Sequence, residues 1–76
     1  MEEKLIQFIK TEMLHDPDIQ IEPETKLISD GIIDSFALVV LQTFIEKEFG
    51  KKIPAQRITA DSFDSVSQMV KIINHY

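Results

Sequence analysis

The sequence predicts an all-α fold of three main helices and one short helix, with a long loop after the first helix. Two observations carry this. Apolar residues recur at the 3.6-residue helical period in three separate stretches, with Gly, Pro and capping residues between them. No two stretches alternate in the manner of paired strands: Ile19 and Ile21 alternate, but without a partner.

Residues 3–14 form the first predicted helix, with Leu5, Ile6, Phe8, Ile9 and Met13 on one arc. It is expected to end before His15-Asp16-Pro17, because the residue ahead of a proline avoids the helical region. Residues 15–34 are the long connection, marked by Pro17, Pro23 and Ser29-Asp30-Gly31. Loops beyond about 12–15 residues are uncommon in compact domains and tend to be functional. Ile19, Ile21, Leu27, Ile28, Ile32 and Ile33 can pin this one onto helices.

Asp34 is a suitable N-cap for a second helix over Ser35–Phe49, stopped by Gly50. After Lys51-Lys52-Ile53-Pro54, a short helical turn is expected near Ala60–Phe63. Ser65 and Gln68 have the spacing of a capping box, and Val66, Met69, Val70 and Ile73 then form the buried stripe of the last helix.

The 76 residues suit a single domain, one that buries only about 60% of its unfolded surface. No run approaches the roughly 18 apolar residues that span a bilayer, so stable membrane insertion is not expected. The charged start Met-Glu-Glu-Lys does not read as a secretory signal, and the absence of cysteine excludes disulfides and thiolate metal sites. A cytoplasmic monomer is the expectation. Thirteen acidic against eight basic residues give a net charge of −5, which argues against nucleic acid and suits basic protein partners. Nine of the acidic residues precede Ser35.

On a helical wheel of residues 36–49, Ala37, Leu38, Leu41, Phe44, Ile45 and Phe49 form one broad core face. Phe36, Val39 and Val40 fall among or beside polar residues. Either the long loop covers them, or they form a small partner-binding patch beside Ser35, which Ile33 would extend.

The residues Asp30-Gly31-Ile32-Ile33-Asp34-Ser35-Phe36 carry the candidate chemistry. An Asp-Ser pair at a helix start is by itself only a cap. In this setting the chain resembles the acyl and peptidyl carrier protein family, whose attachment motif is Gly-x-Asp-Ser-Leu/Met or a close variant. Here Phe36 stands in the Leu/Met position, and two residues separate Gly31 from Asp34, as in some free-standing carriers. The resemblance continues through Ile45-Glu46-Lys47-Glu48-Phe49-Gly50, Ile53-Pro54 and Asp61-Ser62-Phe63-Asp64-Ser65-Val66, and so covers nearly the whole chain.

The resemblance implies an acyl-carrier-protein-like bundle. It implies covalent 4′-phosphopantetheine on Ser35, delivered from coenzyme A by a phosphopantetheinyl transferase, with Asp34 helping to engage that enzyme and its magnesium ion. The arm would hold acyl or aminoacyl cargo as a thioester for fatty-acid-like, polyketide, nonribosomal peptide or D-alanyl transfer pathways. Partners would be adenylating ligases, acyltransferases or synthases, and the chain itself would be a carrier and not an enzyme. A serine in the first helical turn is expected to sit beside unpaired backbone N–H groups and the positive end of the helix dipole, a setting that favours a phosphodiester.

Carriers of fatty acid synthesis commonly have a strongly acidic second helix. This one has only Glu46 and Glu48, with Val39-Val40 where acidity would be expected. That favours a dedicated ligase loading an amino acid or unusual acyl group, with D-alanyl transfer and an isolated natural-product carrier both open. The alternative of a different class is a small helical protein-interaction domain without a prosthetic group.

Two other chemistries are weaker. A Ser-His-Asp hydrolase would need His15 or His75 to reach Ser35 beside an oxyanion hole. Asp16-Pro17-Asp18-Ile19-Gln20 fails as a calcium loop, with Ile21 and Leu27 where Gly and Glu are required.

Overall fold

The structure is a computed structural model describing residues 1–76. Its elements are all helical: α1 (Glu2–Phe8) running into a π-helical turn (Ile9–Met13), α2 (Ala37–Phe49), a 3₁₀ turn (Ala55–Arg57) and α3 (Val66–His75). Fourteen buried hydrophobic residues form one core cluster. The radius of gyration is 11.2 Å, against about 11.4 Å for a compact chain of this length.

α1 begins with Glu2 and Glu3, whose charges oppose the positive end of the helix dipole, and buries Leu5, while the π-helical turn that follows buries Ile9. Its last turn widens: Leu14 N–H donates to Ile9 O at 2.9 Å and Asp16 N–H to Lys10 O at 2.8 Å. His15 adopts a left-handed φ of 53° there. The helix therefore closes in a Schellman-like manner two residues ahead of Pro17. The expected boundary stands, but the geometry that makes it lies at His15.

The long connection contains no strand, and Ile21, Leu27 and Ile33 are buried in the core. Two backbone bonds tie it to the start of α3, from Leu27 N–H to Asp64 O at 2.7 Å and from Ser67 N–H to Pro23 O at 2.9 Å.

α2 differs from expectation at its start. Regular α-helix begins at Ala37 instead of Ser35. The preceding turn is tightened by i→i+3 bonds, with Ala37, Leu38 and Val39 N–H donating to Asp34, Ser35 and Phe36 O. At the other end Gly50 takes φ 68°, a conformation glycine adopts without a Cβ penalty, and its N–H donates to Glu46 O. Of the expected core face, Ala37, Leu38, Leu41 and Ile45 are buried, while Phe44 and Phe49 are half-buried. Phe44 stacks on Phe8 with ring centroids 4.0 Å apart and meets Phe49 edge-on.

The short helix is also displaced from its expected position. It lies at Ala55–Arg57, directly after Pro54, and not at Ala60–Phe63. In the latter stretch Thr59 and Ser62 bond backbone N–H groups through their hydroxyls, which competes with helix continuation. A single i→i+4 bond, Phe63 N–H to Thr59 O, remains there. α3 opens with the expected capping box. Gln68 N–H donates to Ser65 Oγ, and Ser65 N–H donates to Gln68 Oε1. Val66, Met69 and Ile73 are buried and Val70 is half-buried.

Candidate functional site

Ser35 lies exposed in the tight turn that opens α2. Its neighbour Asp34 shapes that turn, accepting bonds at Oδ1 from Phe36 N–H at 3.0 Å and Ala37 N–H at 3.3 Å. The cap is thus Asp34, as the sequence suggests, and Ser35 Oγ makes no hydrogen bond within the protein. One expectation is corrected. The first-turn N–H groups of Phe36, Ala37, Leu38 and Val39 already have acceptors within the turn, so they offer no preformed anion cradle. Asp34 already places a negative charge at the dipole's positive end. A group on Ser35 would face solvent instead of a backbone nest.

Beside Ser35 lies a groove of about 530 Å³ lined by Met13 and Leu14 from the end of the first helix, Ile28 and Ile32 from the loop, and Asp34 and Ser35 themselves. Neither His15 nor His75 lines it. No group of three or more His, Cys, Asp or Glu is gathered closely enough to hold a metal ion.

The structure separates the two readings of the α2 surface. Phe36 is 83% exposed, Val39 65% and Val40 47%, so the long loop does not cover them. Val39 and Val40 also border a second hollow, of about 450 Å³, with Phe8 and Phe44. Ile33 does not belong to this patch. It is buried at 8% exposure, drawn inward because its N–H and that of Ile32 both donate to Leu27 O.

The sequence gives little notice of Asp64. Its Oδ1 accepts from Ile28 N–H at 2.7 Å and Ser29 N–H at 2.9 Å, and its Oδ2 accepts from Ser29 Oγ at 2.5 Å. The Ser29 hydroxyl holds the Asp64 carboxyl below the usual carboxylate range, helped by the Ser29 and Ile28 N–H groups and the charge of Lys26, against a smaller opposing effect of desolvation. A depressed folded-state pKa stabilises the fold fully above the unfolded value, about 3.9, and that contribution is lost as pH falls through the lower folded value. The stability difference between wild type and Asp64→Asn should therefore hold steady from neutrality to about pH 5 and shrink below about pH 4. Urea denaturation across that range measures it, and a difference that grows on acidification would contradict the assignment.

Comparison with known proteins gives one informative likeness. No family model matches the chain, and no solved structure matches it. It is 26% identical over 66 residues to a D-alanyl carrier protein of Bacillus licheniformis, covering 87% of this chain and 85% of that protein. Any span of 66 residues in a chain of 76 includes residues 11–66, and so takes in the Ser35 turn and Asp64. An exposed serine beside a capping aspartate, on a helical bundle similar along most of its length to a carrier protein, supports a carrier-protein kinship for this chain.

Proposed function

We propose that this chain is a free-standing carrier that holds cargo on 4′-phosphopantetheine attached to Ser35. The observation that carries the reading is the exposed, unbonded Ser35 hydroxyl in an Asp34-capped turn, within a span similar to a D-alanyl carrier protein.

The residues present fit the group. The hydroxyl has no internal partner to give up, and the groove beside it leaves room for an attached chain. When bound, the arm supplies the thiol that holds cargo as a thioester, which a chain without cysteine cannot supply itself. On attachment the Ser35 Oγ–phosphorus bond forms as the pyrophosphate bond of coenzyme A breaks, with the serine proton lost and adenosine bisphosphate leaving. Asp34 holds the turn through two N–H groups, and its Oδ2 is free to engage the transferase and its magnesium ion. Phe36, Val39 and Val40 give partners an apolar surface at the attachment point.

Among cargo classes, the likeness to a D-alanyl carrier protein and the scarcity of acid on α2 favour an amino acid activated by an adenylating ligase. The test is intact-protein mass after incubation with coenzyme A, magnesium and a broad-specificity phosphopantetheinyl transferase, followed by loading with a panel of adenylating ligases and acyltransferases. A gain of one phosphopantetheine, mapped to the peptide containing Ser35, is expected. No gain on folded, unmodified protein with several transferases would leave a protein-interaction domain as the better account.

Phe36→Asp separates recognition from folding. Phe36 lies outside the core, so its replacement should change stability by no more than about 0.5 kcal/mol. Modification or ligase loading should nevertheless fall by about tenfold or more, because an apolar contact is replaced by a charge desolvated on docking. Wild-type loading rates for this variant would remove the patch from the proposal.

A further inference from the structure

Residues 27–36 form no regular helix, yet they carry the serine on which the proposed function depends. Their backbone bonds are mostly local. Gly31 N–H donates to Ile28 O with Gly31 at φ 76°, and the Ile32 and Ile33 N–H groups converge on Leu27 O. Leu27 and Ile33 pack into the core, and the long-range hydrogen bonds of the turn all end on residue 64. Its carbonyl accepts from Leu27 N–H, and its carboxylate accepts from Ile28 N–H, Ser29 N–H and Ser29 Oγ. Three of the four bonds end on a carboxylate, the stronger, charge-assisted kind. The other ties between the loop and α3, from Ser67 to Pro23 and Glu24, lie upstream of the turn. Ile28, Gly31, Ile32 and Ile33 wall the groove that Ser35 borders, so the clasped turn and the attachment point share one surface.

Resting on the carrier reading, we infer that Asp64, together with Ser29, is a positioning residue that fixes the 27–33 turn and so presents Ser35 to its modifying enzyme in one orientation. Neither residue touches the reacting atoms. Without the clasp the turn samples several arrangements, of which only a fraction presents Ser35 correctly. The apparent KM for the apo-protein then rises as the inverse of that fraction, while kcat is unchanged.

The test is steady-state transfer from coenzyme A to the apo-protein by a broad-specificity phosphopantetheinyl transferase, at a temperature where circular dichroism and urea titration show every variant folded. Asp64→Asn is expected to raise KM about tenfold at unchanged kcat, as a competent population of about one tenth requires. Ser29→Ala removes one hydrogen bond from an exposed residue and should raise KM about two- to tenfold. Ser67→Ala, which loosens only the upstream tie, should leave KM unchanged. Amide exchange should quicken at Ile28, Ser29, Ile32 and Ile33 in the clasp variants, and stay slow at Leu41 and Ile45.

Unchanged KM in folded Asp64→Asn and Ser29→Ala would overturn the inference. So would an equal rise in Ser67→Ala, which would mark general loosening. An unmodified wild type sinks the carrier reading and the clasp's role together, whereas a modified wild type with unimpaired variants sinks the clasp alone.

Discussion

Ser35→Ala is expected to abolish attachment of phosphopantetheine and all cargo loading, with the fold little changed. The two halves of this result have separate causes. Ser35 is exposed and its hydroxyl makes no internal bond, so its loss should change stability by no more than about 0.5 kcal/mol, or roughly 2–4 °C in Tm. The Asp34 cap, which organises the turn, is untouched by the substitution. Loading, by contrast, needs an oxygen for the ester bond, and alanine has none. Intact mass and thermal unfolding read the two halves independently. A variant that still gains the arm would place the attachment elsewhere, whereas one that loses both fold and modification would say nothing specific of the hydroxyl. Ser35→Thr resolves that second case, since it keeps an oxygen at the same position.

Phe63→Ala should have the largest effect on folding. Phe63 heads the fully buried side chains and sits in the segment between the 3₁₀ turn and α3. Truncating a buried Phe costs about 3–5 kcal/mol, the lost transfer energy plus the cavity left behind. At about 0.05–0.15 kcal/mol per residue, the whole stability of a chain this long is roughly 4–11 kcal/mol. The variant should therefore be marginal or unfolded at room temperature. Phe63→Leu should be markedly milder, because it leaves a smaller void. Urea titrations of the three proteins check the order. A cost below about 1 kcal/mol for the alanine variant would mean that the core closes over the space.

The parts of the fold that could be read from the chain are those fixed by contacts between near neighbours. Ser65 and Gln68 are three residues apart, and their reciprocal capping bonds depend on little else. Gly50 likewise ends α2 through its own backbone freedom. The widened last turn of the first helix was not legible. It involves a shift of one hydrogen-bond partner that leaves the apolar period nearly unaltered. Nor could the sequence show that Thr59 and Ser62 would spend their hydroxyls on local N–H groups, leaving Ala55–Arg57 to form the short helix.

At the candidate site the same division holds. Asp34 as the cap of the turn followed from the chain, whereas the wheel left open whether the loop covers Phe36, Val39 and Val40, and their exposure came from the structure. Ile33 was misplaced because nearness to Ser35 in the chain does not fix which way a loop residue points, and here the bond to Leu27 O turns it inward. Asp64 was missed because its partners are 35 and 36 positions away in the chain. In sequence it is one acidic residue before a helix cap, among the commonest of surroundings.

The groove beside Ser35 has a further meaning for the lifetime of whatever is carried. Thioesters are lost to amines, thiols and imidazoles, which attack the acyl carbon fastest when held next to it. The groove's lining is aliphatic apart from Gly31, Asp34 and Ser35; it contains no lysine and no histidine, and the chain has no cysteine to place there. On the proposed function, a thioester resting in this groove would meet no amine, imidazole or thiol in its wall. Release from such a position would then fall to water and to the receiving enzyme, which would set the timing of delivery.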